Sequence, residues 1–230
     1  VMLRHLGSHG AEVLQVENAS ASGSTALRIA CLQLAAGEHD VALAIGVDKF
    51  GDGRRAAGKD GLQPLSPTAN VPLVKFALLS QRLMQDHGLT VEDLARVAVK
   101  NHGNAALNPY AQFRKPRTLE QVLAAPRIAG PLTGLMCTPR GEGAAAVLLA
   151  TEAGLERLGL DHRRAVRVLS SVAVSERLAD DAPDGVPPIV EMVRASSQAA
   201  LDAAGVQACE LDLVELHDAF SIEELVYAEA

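Results

Sequence analysis

Tryptophan is absent from the 230 residues, and aromatic side chains of all kinds make up only 3%. Any core must therefore be built from Ala, Val, Leu and Ile within a chain that is 48% apolar. No apolar run approaches the roughly 18 residues that span a bilayer, and the stretch Val1 to Gly10 lacks the basic-then-apolar layout of a secretory leader. A cytoplasmic location is the expectation. The three cysteines, Cys31, Cys137 and Cys209, are odd in number and widely spaced, with no CxxC pair and no histidine at zinc-finger distance. That excludes a disulfide framework and a zinc site. An excess of basic charge is missing as well: 21 Lys and Arg against 28 Asp and Glu leave a net charge of −7, which argues against a nucleic-acid binder. Eleven Pro and 19 Gly are ordinary usage, so neither collagen nor a disordered tract is at hand.

What is present is an alternation of short β-branched runs with longer helical patterns. Glu12–Glu17 and Val41–Val47 read as strands, and between them Ser24–Ala36 places Leu27, Ala30, Cys31 and Leu34 at helical spacing before Gly37. This predicts a βαβ unit, with Val41–Val47 apolar throughout as in a parallel strand covered on both faces. Gly143 opens a further strand, followed by a helix over Glu152–Leu158 and a strand over Val166–Val174. Pro187–Ala204 reads as a helix with Pro at its start and Gly205 just past its end. Leu211–Leu216 reads as the last strand, and Ser221 to Glu224 has capping-box spacing for a helix after it. The middle, Gly51–Arg140, reads instead as helices joined by loops: Leu73–His87 closed by Gly88, Thr90–His102 opened by a Thr90/Asp93 cap, and Thr118–Ala125. It reads as an insertion between two α/β segments.

Two strand-to-helix turns, VLQVENAS and LVELHDAF, occupy the places where open α/β sheets put ligands and chemistry. In Val16–Leu27 (VENASASGSTAL), Ser20 falls between an apolar strand and a helix whose first turn is small. A hydroxyl there faces the positive end of the helix dipole and free backbone N–H groups, the position of a nucleophile. The same residues also serve as N-caps, a role open to Ser20, Ser22 and Ser24 alike.

The segment from VENASASGSTAL through GVDKF resembles the active-site segment of thiolases, whose pattern is N-x-C-(A/S)-S/T-G followed by a helix and a strand. Lys100–Lys115 (KNHGNAALNPYAQFRK) and Pro131–Thr151 (PLTGLMCTPRGEGAAAVLLAT) are similar to the loop-domain and strand motifs of the sterol-carrier-protein-type thiolases. Val214–Phe220 (VELHDAF) resembles their HDCF motif. The resemblance implies an α/β thiolase fold, two similar mixed-sheet halves in a layered arrangement with a helical loop-domain insertion. Its divisions would be 1–50 and 141–160 for the N-terminal half, 51–140 for the insertion and 161–230 for the C-terminal half. It further implies acyl transfer on acyl-CoA or 3-oxoacyl-CoA thioesters, by thiolytic cleavage or Claisen condensation.

Carried over by position, Ser20 stands where thiolases have the acyl-accepting cysteine. A thiol is ionised by a helix N-terminus, whereas a hydroxyl needs a neighbouring base, so turnover at Ser20 is expected to be very slow. Both an introduced Cys-to-Ser change and a natural variant account for it. His217 matches the histidine of HDCF, implied to support an oxyanion or the water beside it. Asp218 orients that loop or caps the helix. Ala219 replaces the HDCF cysteine, implied as acid/base, so that work falls to another residue or to none. Thr138 aligns with a serine that contacts the pantetheine arm of CoA, and Met136 lines the acyl pocket or the core. Two basic clusters, Arg54 with Arg55 and Lys59, and Arg114 with Lys115 and Arg117, are candidates for the CoA phosphates or simply a solvated face. The GEG at Gly141 to Gly143 is no phosphate loop, since it lacks the following Lys-Ser/Thr. His102 reads as structural.

No cofactor is expected beyond coenzyme A or acyl-CoA as substrate. The resemblance implies a homodimer or homotetramer, with a small accessory subunit as a further partner and a setting in lipid metabolism. The family's G-H-P and C-x-G motifs do not occur in the sequence, and the chain is expected to be an internal piece of a longer thiolase, truncated at both ends. Two other functions compete: a catalytically silent acyl-CoA-binding or partner subunit, and retro-aldol or decarboxylase chemistry on a CoA ester. Tyr110 and Tyr227 are the only tyrosines available as acids.

Overall fold

A computed structural model describes residues 7, 10–49, 71–139, 141–175 and 188–230. The chain divides into two units, one made of 1–48 with 143–173, the other of 49–142 with 174–230. The segment 161–230 is thus shared between them.

In the first unit, a single 3-10 turn over Ala19–Ala21 leads into α1, Ser22–Ala35. The expected apolar stripe turns Ala30 inward, and the helix stops where Gly37 takes φ 76°, a left-handed conformation that costs glycine nothing. The chain then enters β1, Val41–Asp48, against which α1 packs. β1 pairs with β4, Gly143–Ala150, in an antiparallel register running from Val41 opposite Ala150 to Asp48 opposite Gly143. This corrects the parallel βαβ expectation. The upstream segment Glu12–Glu17 carries no ladder among the described residues, nor do Val166–Val174 and Leu211–Leu216. β-Branched composition favours a strand, but a strand exists only where a neighbour exchanges backbone hydrogen bonds with it. Val166, at 92% exposure, has no such neighbour to cover it. The apolar run of β1 is likewise open here, with Leu43 and Val47 more than half exposed.

The helix α5, Glu152–Leu158, follows β4 directly and is capped at its start by Thr151, whose Oγ1 accepts from Gly154 N at 3.1 Å. Gly154 is buried against the start of β1: a Cβ placed on it would lie 2.2 Å from the carbonyl oxygen of Asp40. The same carbonyl accepts from Thr151 N at 2.9 Å, and the Asp40 carboxylate pairs with Arg157 at 2.7 Å. One residue of β1's approach thereby holds both ends of the helix.

The second unit is helical. α2 spans Val71–His87, α3 Val91–Leu107, α4 Leu119–Leu123, α6 Pro188–Ala204 and α7 Ser221–Glu229, with a small hairpin of β2, Arg127–Ala129, and β3, Leu132–Thr133. The Thr90/Asp93 cap is the one the sequence announces. Thr90 and Asp93 form a reciprocal capping box on α3, and Thr118 with Gln121 does the same for α4. The core gathers Leu94, Ala95 and Ala98 of α3, Val122 of α4, Leu132 of β3 and Ile222 of α7. Phe76 of α2 stacks on Phe220 just before α7, ring centroids 4.9 Å apart. In a chain with so few aromatics, this stacked pair adds aromatic contact to an otherwise aliphatic core. Among the described residues, no helix is long and apolar enough to cross a membrane.

Two substitutions probe these joints. Gly154→Ala forces a backbone clash and should cost on the order of 1–3 kcal/mol in unfolding free energy, read as a lower midpoint in urea. Thr90→Ala removes one arm of the α3 box and should cost about 1 kcal/mol in the same titration.

Candidate active-site loops

Ala19 has φ 46°, and among the described residues it is the non-glycine residue held at positive φ. For alanine this conformation is worth roughly 1–2 kcal/mol of strain, so something must hold it. A local network does. Asn18 N donates to Ser22 Oγ at 2.7 Å, Ser22 Oγ donates to Ala19 O at 2.7 Å, and Ala19 N donates to Glu17 Oε1 at 3.1 Å. Asn18 Nδ2 reaches Thr25 Oγ1 at 3.0 Å, and Ser24 Oγ bonds back to Ala21 O at 3.0 Å. Ser22 and Ser24 are therefore committed to the turn, while the exposed Ser20 makes no hydrogen bond among the described residues. The cap of α1 falls on Ala21, so Ser20 does not serve as an N-cap. Ser20 sits one residue after the strained position and at the threshold of a 14-residue helix. Backbone strain kept at such a place makes the turn a candidate site.

In the second unit, two loops meet. Cys137 and Phe220 form an isolated antiparallel bridge, Thr138 N donates to Ala219 O at 2.8 Å, and Ser221 Oγ donates to Met136 O at 3.3 Å. The residues singled out at 136, 138 and 217 thus lie on two loops joined by backbone pairing. Thr138 is exposed, Met136 is 2% exposed within the core, and His217 is exposed. Cys137 packs against the core, and burial pushes its thiol above the ordinary range.

Beneath this crossing lie charged residues that the sequence reading did not name. Glu223 is 2% exposed; its Oε2 accepts from Phe220 N at 3.0 Å and its Oε1 from the Tyr227 hydroxyl at 2.8 Å. His217 Nδ1 lies 3.3 Å from Glu223 Oε1. The capping box expected between Ser221 and Glu224 is therefore shifted one residue, and only its returning half exists, because Phe220 has no side-chain acceptor. On α3, Asn101 Nδ2 donates to Asp218 Oδ2 and, at 3.3 Å, to Glu224 Oε2, while Lys100 Nζ reaches Glu224 Oε1 at 3.1 Å. Asp218 is half-buried, and its carboxyl is raised above the ordinary carboxylate range, first by burial and then by Glu224. The KNH motif and the SIEEL stretch were the available signals: a polar pair at the end of an amphipathic helix and two adjacent glutamates at a helix start.

The remaining candidates divide. Arg54, Arg55 and Lys59 lie outside the described residues, as do His5 and His9. Arg114 and Lys115 are exposed, whereas Arg117 is half-buried and its Nε is enclosed without a hydrogen-bond partner. His102 is half-buried; burial lowers its pKa, and the Arg117 charge adds to that.

The family model described as the thiolase N-terminal domain matches residues 3–122. The chain belongs to the thiolase family. Sterol carrier protein 2 of Gallus gallus is 31% identical over 98% of this chain and 44% of its own length. Acetyl-CoA acetyltransferase of Methanocaldococcus jannaschii is 33% identical over the whole chain and 59% of its own length. The solved Ltp2-ChsH2(DUF35) aldolase superposes with a TM-score of 0.72 at 22% identity, covering 91% of this chain and 56% of that one. The chain therefore spans about half the length of these thiolase relatives, and its α/β architecture is the thiolase fold.

The raised Asp218 has a consequence for stability. The folded state holds that proton more tightly than the unfolded chain, so this contribution is full below the ordinary carboxylate pKa and is lost as pH rises through the folded value. Asp218→Asn, which keeps an acceptor for Asn101, should be more stable than the parent at neutral pH, with the advantage vanishing in acid. Urea midpoints across a pH series would show it, and an advantage that grows in acid would contradict the sign.

Proposed function

We propose that this chain is the acyl-CoA-handling part of a thiolase-family C-acyltransferase, acting on the carbonyl of an acyl-CoA or 3-oxoacyl-CoA thioester. The observation that carries the reading is the pairing of the 136–138 loop with the 217–220 loop, which fixes Thr138 two residues from His217 in the backbone ladder. In this reading the pantetheine amide meets the Thr138 hydroxyl and the thioester carbonyl meets the His217 ring. Ser20 takes the nucleophile's place on the elbow, and its hydroxyl finds no base among the described residues. Acyl transfer through an oxygen ester there is impaired, because a hydroxyl is ionised neither by the helix N-terminus nor by any partner beside it. Coenzyme A enters as substrate, and the proposed assembly is a homo-oligomer. Arg54 remains a proposed contact for the CoA phosphates.

A second reading draws on that same unpartnered hydroxyl. Retro-aldol cleavage of a CoA ester needs no acyl-enzyme, so a serine at position 20 is no obstacle to it. The fold neighbour is an aldolase paired with a DUF35 protein, and a small accessory subunit of that kind is the partner this reading proposes.

Ser20→Cys separates the two. Incubated with acetyl-CoA and read by mass spectrometry of the peptide containing residue 20, the cysteine variant should acquire an acetyl thioester where the parent acquires none. A variant that binds acetyl-CoA by calorimetry yet stays unmodified would sink the nucleophile assignment. Release of a carbonyl product from a 3-hydroxyacyl-CoA, undiminished in Ser20→Ala, would favour the aldolase instead.

A further inference from the structure

The acid/base thiol of the related HDCF motif is missing, since Ala219 stands in its place, and Cys137 across the bridge is a core thiol kept protonated by burial. We propose that the His217–Glu223 pair supplies the acid/base group of this site, with Glu223 as the positioning residue that fixes which ring nitrogen of His217 faces the ligand. This rests on the reading that His217 meets an acyl-CoA thioester.

Glu223 is the anchored member of the pair. It is 2% exposed, and two donors hold it in place, Phe220 N on one oxygen and the Tyr227 hydroxyl on the other. A carboxylate so held cannot turn away from the ring, and its Oε1 stands 3.3 Å from His217 Nδ1. A bare Nδ1 lone pair 3.3 Å from a carboxylate oxygen is disfavoured by electrostatic repulsion, and on this proposal the ring's proton sits on Nδ1. Nε2 of the neutral ring is then an acceptor. The imidazole side chain is 54% exposed, which leaves that nitrogen open to a ligand.

The chemistry follows from the tautomer. Nε2 takes a proton from the carbon next to the thioester carbonyl; the electron pair left by the broken C–H bond passes to the thioester oxygen as an enolate. The ring, now carrying both protons, becomes a donor from Nε2 to that oxygen or returns the proton to carbon, and its positive charge is met by Glu223. One residue thus acts as base first and as donor afterwards. The other charged groups around this position are Asp218 beside the ring's own residue, Glu224 on α7 and Lys100 on α3. Asn101 and Lys100 hold the two carboxylates among themselves, which leaves Glu223 as the group facing His217.

The test reads the ring directly. With histidine labelled by nitrogen-15 and the His217→Gln variant used for assignment, multiple-bond proton–nitrogen spectra at a pH where the ring is neutral report which nitrogen carries the proton. The parent should show Nδ1–H. In Glu223→Gln, the single amide oxygen is taken by the Phe220 cap, a role Gln fills as well as Glu, and the NH2 turned to the ring should reverse the signal to Nε2–H. Tyr227→Phe keeps the carboxylate and should leave the signal as in the parent. Exchange of the C2 hydrogens of propionyl-CoA in deuterated water, followed by proton NMR, should fall at least about 100-fold in His217→Ala and at least about 10-fold in Glu223→Gln. A parent ring found as Nε2–H overturns the positioning role even if Glu223→Gln fails to fold, and an unchanged tautomer in a folded Glu223→Gln does the same. Exchange that is absent in a parent shown by calorimetry to bind propionyl-CoA, or that is unaffected in His217→Ala, overturns the acid/base role. The tautomer needs no ligand, so a failure to bind propionyl-CoA would instead strike the acyl-CoA reading and leave the dyad standing.

Discussion

The crossing of the 136–138 and 217–220 loops hangs on one buried carboxylate. Glu223 is two residues into α7, and by accepting from Phe220 N it fixes where that helix begins. Fixing Phe220 places its ring on Phe76 in the core and its backbone against Cys137, and the pairing then aligns Thr138 with Ala219. An uncompensated charge at 2% exposure would cost several kcal/mol. Here the donors from Phe220 and Tyr227 and the ring of His217 surround it, so the same contacts that make the charge tolerable also set the loop. Stability and site geometry share their atoms in this part of the molecule.

The helices were legible because their signals are local. Thr90 with Asp93, Thr118 with Gln121, and Gly88, Gly159 and Gly205 at left-handed φ each act within one turn of the chain, and the sequence carries them openly. The strands depended on something no window of residues contains. Val41–Asp48 and Gly143–Ala150 became a ladder because each found the other about a hundred residues away, whereas Val166–Val174, with the same β-branched character, found no partner among the described residues. Propensity reports the willingness of a segment to be a strand; pairing is decided elsewhere in the chain.

Site residues followed the same division. Ser20, Thr138 and His217 were named as candidates from motifs, since a motif preserves the spacing of residues along one loop, and the structure puts Thr138 and His217 on two paired loops. Glu223 and Asn101 escaped because their roles arise from contacts across loops and between helices. Glu223 is one of two adjacent acids in the first turn of α7, and Asn101 one polar residue in a helix that extends to Leu107, past the end the sequence indicated. The fit of Ser20 to a turn held by Glu17, Asn18 and Ser22 shows the reverse case: three side chains within six residues build a strained elbow that the family motif only labels.

The β1–β4 ribbon sets how this chain behaves in a tube. In a two-stranded antiparallel pair, every second amide and carbonyl of each strand points away from its partner, and here those outward edges run beside exposed Leu43, Val47, Val147 and Leu148. Such an edge is a template for a further strand, whichever molecule supplies it. The net charge of −7 opposes that by mutual repulsion, and repulsion of this kind is screened within about 10 Å at 0.1 M salt. Added salt should therefore weaken what keeps such edges apart.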